Sequence, residues 1–285
     1  MEFTRKRAVA PILTLLSLSL LAGCGGNNNN ASASNGHPTN GIYPYMRAIQ
    51  DESGNVTTIA QLRDGATSSA DYLYLSDGDG LFSALDTSPQ QYLDFSGNLF
   101  SNSLELSQHV KAMSSRDTSV DYGIFTGVSY GTVEYFAVET PSASSSPTLA
   151  YIDFKRSGNA VSAESSVELP PAFQILTPAS DAIISRSTPL TVSWTGLDPS
   201  TTIEIDVAGI CADNSRFTDH LNLSTDRGLY ILQATNYFPS WASPSLSCRV
   251  AFGIQRVRLG SASPQFALGI FKGIQQRTVQ FTSTQ

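Results

Sequence analysis

Leu104, Leu106, Gln108, Val110 and Ala112 recur at every second position, with Glu105, Ser107, His109 and Lys111 between them. Side chains on a strand point alternately to opposite faces, so this run makes a half-wet strand, with His109 on the wet face. No segment from Gly41 to Leu169 carries an apolar repeat at helical spacing. The expectation is an all-β protein.

The other runs agree. Val56 to Leu62 reads as a strand, and Tyr43-Pro44-Tyr45 before it as an edge strand that seals the core. Tyr72 to Leu75 and Leu81 to Leu85 flank Ser76-Asp77-Gly78-Asp79-Gly80, the pattern of a hairpin turn. Val133 to Val138 and Leu149 to Phe154 follow, then an Arg156-Ser157-Gly158-Asn159 turn and a strand ending near Leu169. Short strands at this spacing imply an antiparallel sandwich or barrel over residues 41–170. Pro170-Pro171 forces extended geometry on the residues before it, which makes a short stiff joint.

The second domain, residues 171–285, opens with Phe173-Gln174-Ile175-Leu176-Thr177-Pro178 and continues through Pro189-Leu190-Thr191-Val192-Ser193-Trp194-Thr195. This resembles the first strands of fibronectin-III and immunoglobulin-like modules, where an early buried aromatic anchors the sandwich. Asp226-Arg227-Gly228-Leu229-Tyr230 is similar to the D-x-G-x-Y element before strand F, which implies a tyrosine corner. Leu232 stands where the immunoglobulin cysteine would be, so the inter-sheet disulfide of antibodies is not implied. Two antiparallel β-sandwich-like domains in tandem are expected. The resemblance speaks to fold and hardly to function, because this sandwich hosts many roles.

The N-terminus has its own logic. Arg5, Lys6 and Arg7 precede an apolar run from Ala8 to Ala22, too short for a membrane span of about 20 apolar residues. Leu21-Ala22-Gly23-Cys24 resembles a bacterial lipobox. Residues 1–23 would then be a lipoprotein signal peptide, and Cys24 would carry diacylglycerol on its sulfur. A further acyl chain on the new amine makes such anchoring durable, since one chain alone binds a membrane marginally. Gly25 in place of Asp after the cysteine suggests, by the same resemblance, transport to the outer membrane. Residues 24–40, including GGNNNNASASNGHPTN, read as a flexible tether holding the cargo about 20 Å from its anchor on average. His37 in it reads as a solvated linker residue. Lipobox, polar tether, β-domain and Ig-like domain together resemble a type of proteobacterial lipoprotein with no active residues to carry over.

Loss of the leader removes Arg5, Lys6, Arg7 and Glu2, which takes the formal net charge from −7 to −9. An acidic cargo argues against nucleic acid as a partner. In an exported chain Cys211 and Cys248 form an even pair and read as a disulfide, with two buried free thiols as the alternative.

Few patterns carry chemistry. Gly127-Val128-Ser129-Tyr130-Gly131 matches the G-x-S-x-G nucleophile elbow, but that elbow needs a following helix, and a strand-like run follows. Asp219 and His220 come later, as a hydrolase would order them, but they are adjacent and in the other domain. Asp77-Gly78-Asp79-Gly80 resembles the start of a calcium loop, yet Ser88 stands where an EF-hand needs its bidentate Glu; a plain turn or a looser calcium site remain. Tyr237, Phe238 and Trp241 cluster in a loop, either as a sugar-stacking surface or as a plug over the core end. Zinc and nucleotide motifs are missing from the sequence, so no cofactor is expected. The expected function is a non-catalytic structural or protein-binding role at the outer membrane, with another envelope protein or a glycan as partner. A carbohydrate-binding or adhesive surface lipoprotein is the alternative.

Overall fold

A computed structural model describes residues 32–67, 70–76, 78–86, 104–105, 107–110, 133–139, 141, 147–158, 162–234, 238 and 245–285. Among these the chain is all-β. In order run β1 (Ser32–Ala33), β2 (Tyr43–Gln50), β3 (Val56–Arg63), β4 (Tyr72–Tyr74), β5 (Gly80–Asp86), β6 (Leu104–Glu105), β7 (Ser107–Val110), β8 (Val133–Glu139) and β9 (Leu149–Lys155). Then come β10 (Ala163–Glu168), β11 (Ile175–Thr177), β12 (Ile183–Ser185), β13 (Leu190–Trp194), β14 (Thr202–Cys211), β15 (Arg216–Leu223), β16 (Leu229–Leu232), β17 (Cys248–Leu259) and β18 (Ile270–Thr284).

One large sheet runs β1-β4-β3-β2-β18-β17-β14-β15, with β12 beside β18, β8 beside β3 and β7 beside β8. Two smaller sheets, β10-β9-β5-β6 and β11-β13-β16, lie against it. Each encloses a core with a different part of the large sheet. Met46, Ala60, Leu62, Leu81, Ile152, Phe154 and Val167 fill the first. Val192, Trp194, Ile203, Ile205, Val250, Phe252 and Phe281 fill the second. Leu232 is fully buried in the second core, opposite Leu190 on β13.

The hairpin β17–β18 serves both cores. Val250, Phe252, Ile254, Val279 and Phe281 belong to the second, but Phe266 and Phe271 belong to the first. The upper half of β18 pairs parallel with β2, from Ile270↔Tyr45 to Gln275↔Gln50. Truncating either phenylalanine should cost about 3–5 kcal/mol, the usual loss for a buried Phe. Gly260 and Gly273 allow β10 to cross this hairpin closely. A Cβ on Gly260 would stand 2.3 Å from the Ser166 carbonyl oxygen, and one on Gly273 2.7 Å from that of Glu168.

Three sequence expectations change. The sheet is mixed rather than purely antiparallel, because β1–β4, β2–β18 and β12–β18 pair parallel. Tyr43-Pro44-Tyr45 opens a central strand, not an edge. Proline is tolerated there because the β18 ladder begins only at Tyr45, leaving Pro44 without a required donor on that side. The stretch from Tyr72 to Leu85 is not a hairpin: β4 joins β3 in the large sheet while β5 joins β9 in a smaller one. Asp79 fixes that corner by accepting from Ser34 Oγ at 2.7 Å and from the Ser157 amide at 2.9 Å.

Residues 32–40, expected within the tether, are built into the fold around the first core. Ala33 pairs with Tyr74, and the Ser34 side chain is buried. Arg156 donates to the Ser34 and His37 carbonyls at 2.8 and 2.6 Å. His37 Nε2 lies 3.0 Å from Ser32 Oγ. The sequence looked structureless because its order comes from distant polar partners rather than from apolar periodicity.

Candidate functional site

The joint after Leu169 is held by three arginines. Arg256, on β17, has no exposed surface, and neither does its partner Asp226, whose Oδ2 lies 2.8 Å from Arg256 Nη2. Arg256 also donates to the carbonyls of Pro171 and Thr195, each at 2.9 Å, and stacks over Phe173. Arg277 stacks on the same ring and donates from Nε to the Phe173 carbonyl at 2.9 Å. Burial lowers the pKa of both guanidinium groups; for Arg256 the Asp226 charge opposes this. Arg258 bridges the two cores, pairing with Glu168 of β10 and with Asp198 at 2.7 Å. Burial pushes the Asp198 carboxyl up, but hydrogen bonds from Ser200 and the Arg258 charge outweigh it and leave its pKa lowered.

Asp226 is the hub of this network. It accepts from Trp194 Nε1 at 2.8 Å, from the Gly228 amide at 3.0 Å and from the Asp198 amide at 3.2 Å. The D-x-G-x-Y element therefore acts through its Asp. The Tyr230 ring packs against the second core, and its hydroxyl has no hydrogen-bond partner among the described residues. An open polar cleft of about 330 Å³ lies beside the joint, lined by Glu52, Gln174, Pro178, Ser180, Arg277 and Thr278 among others. Its charged walls are already engaged: Glu52 accepts the Thr278 amide at 2.7 Å, and Arg277 holds Phe173.

At the outer edge of the large sheet, β15 pairs only with β14 among the described residues. His220 Nδ1 meets Asp206 Oδ1 at 2.7 Å, and Gln255 Nε2 donates to Asp206 Oδ2 at 3.0 Å. Asp219 does not join them. It lies on the alternate face of β15 and accepts the His220 amide.

Cys211 and Cys248 are disulfide-bonded and directly opposite on β14 and β17. Phe238 packs on the second core with the Arg186 guanidinium 3.8 Å over its ring. Arg186 is held by the Leu246 carbonyl at 2.6 Å and Ser283 Oγ at 2.9 Å. Tyr237 and Trp241 lie outside the described residues, as do Ser129, Asp77, Ser88 and Cys24. Asp79 spends its carboxylate on Ser34, Ser157 and Arg156. His109 lies opposite Glu134 in the β7–β8 ladder. No group of three His, Cys, Asp or Glu side chains converges among the described residues.

Sequence reasoning missed the arginine joint. Arg256, Arg258 and Arg277 belong to no motif, and only their distant partners reveal what they do. No protein-family model matches the chain, and no curated protein matches it significantly.

Proposed function

We propose that this chain is a lipid-anchored protein of the cell envelope with a non-catalytic structural or protein-binding role at the outer membrane. The carrying observation is the continuous sheet that spans both cores and is locked at the joint by Arg256, Arg258 and Arg277. The sheet carries an edge strand, β15, at the end opposite β1, where the chain enters the fold. A partner can add a strand to β15, gaining main-chain hydrogen bonds there. The membrane half of the reading rests on the basic, apolar, small-residue sequence ending at Cys24.

Mass spectrometry of the mature N-terminal peptide tests the anchor: an acylated Cys24 is expected, and Cys24→Ala should release the protein from membranes. Site-specific photo-crosslinking from Thr218 on β15 in cells tests the binding role. A discrete envelope-protein adduct is expected, and its absence from every β15 position would overturn that part. A glycan-array signal abolished by Trp241→Ala would replace this reading with carbohydrate capture.

A further inference from the structure

The outward face of the large sheet, at its β1 end, gathers aromatic and cationic side chains. β2 alternates so that Met46 and Ala48 enter the core while Tyr43, Tyr45 and Arg47 face away. On β3, Leu62 is buried and Arg63 turns out; on β4, Leu73 is buried between Tyr72 and Tyr74. The register places these side by side, Tyr43 against Arg63 and Arg63 against Tyr72. Arg63 Nη2 donates to the Tyr72 hydroxyl at 2.9 Å, and its guanidinium lies 4.7 Å from the centre of that ring. Arg47 lies 5.7 Å from the centre of the Tyr45 ring. The face thus carries cations on a chain of formal charge −7. Its nearby acids are Glu204, bound to Lys272, and Asp64 and Asp71 at the β3–β4 turn.

The chain enters the fold at this face. Ser32 pairs with Leu73, so the N-terminal segment arrives beside Tyr72 and Tyr74. Seven residues separate Cys24 from Ser32. These span at most about 25 Å however they are arranged. Ser34, Asp79 and Arg156 pin the entry point beside this face. A tether this short holds the face at high local concentration over the bilayer. Tyrosine and arginine suit that layer, with apolar bodies toward the acyl boundary and polar tips toward headgroups.

We propose that Tyr43, Tyr45 and Tyr74, with Arg47 and Arg63, form a membrane-contact face. It rests on the phospholipid headgroups of the bilayer that holds Cys24. This rests on the lipid-anchor reading above.

The test uses the full acylated chain in vesicles of phosphatidylethanolamine with a minor fraction of phosphatidylglycerol. Tyr74→Trp reports from the face, and Thr191→Trp from an exposed position on the small sheet of the second domain. Lipids brominated near the headgroup should quench the added emission of Tyr74→Trp and spare that of Thr191→Trp. A second variant, Arg63→Glu in the Tyr74→Trp background, should reduce the quenching while the protein stays vesicle-bound. Equal quenching at both positions, or none at either with the protein vesicle-bound, overturns the contact face and leaves the anchor standing. Protein that floats free of vesicles and lacks acyl mass on Cys24 overturns both. Protection of Tyr74→Trp by soluble oligosaccharides but not by vesicles assigns the face to sugar instead.

Discussion

Arg256 and Asp226 meet at 2.8 Å with neither side chain exposed to solvent, at the point where the chain passes from one core to the other. Two desolvated charges repay their burial only when the remaining donors and acceptors are satisfied. Here Pro171, Thr195, Trp194 and Gly228 supply most of those partners. The pair therefore holds the joint in one geometry more than it adds net stability.

Breaking the pair from one side should be costly. Asp226→Leu leaves a buried guanidinium uncompensated, and a loss of about 3–5 kcal/mol is expected by chemical denaturation. The double variant Asp226→Leu with Arg256→Met should recover much of it. A double variant as unstable as the single one would show that packing, not charge, dominates there.

The first domain should not fold without the C-terminal hairpin. A chain ending at Leu169 lacks Phe266, Phe271 and the β18 partner of β2. Its amide spectrum is expected to be collapsed and poorly dispersed, whereas the full chain is dispersed. Gly273→Val in the full chain should cost about 1–3 kcal/mol by overpacking against β10.

Removing the disulfide should destabilise the second core without changing the fold. On the chain-entropy model, a closed loop with a separation of 37 residues contributes about 4 kcal/mol. The double variant Cys211→Ser with Cys248→Ser should unfold at correspondingly lower denaturant. Unchanged stability would show that the cross-link contributes no net stabilisation.

Two carboxyls should give stability an acid-side signature. Burial raises the pKa of Asp153, eased by Ser162 and the Lys155 charge, and raises that of Glu139, eased by Ser83. A raised folded pKa means the ionised group opposes folding. That penalty is fully present above the folded pKa and is relieved as pH falls toward the unfolded value. Asp153→Asn is expected to raise Tm at neutral pH and to flatten the Tm rise on mild acidification. Asp198 has the opposite sign, since its lowered pKa means stability lost as pH falls through it. Asp198→Asn should therefore lose stability at neutral pH and show less further loss in acid.

How much was legible follows from the range of each interaction. Period-two alternation at β2, β3, β10 and β14 is local, so strand type and the all-β class are written in the chain itself. The cysteine pair was readable because two candidates allow one connectivity. Trp194 was readable as a buried position because the sandwich the sequence resembles anchors an early aromatic there. The order of Ser32 to Asn40 was not, since it depends on Arg156 and Asp79, far along the chain.

Tertiary structure alone decided that β18 lies beside β2, that β4 and β5 part into different sheets, and that two cores share one sheet. The β2–β18 pairing joins residues at opposite ends of the chain, such as Tyr45 and Ile270. A local pattern specifies which face of a strand is apolar and carries no information on which strand will pair with it. The same holds for Arg256: the sequence shows a charge in an apolar strand, and only the folded chain brings Asp226 to meet it.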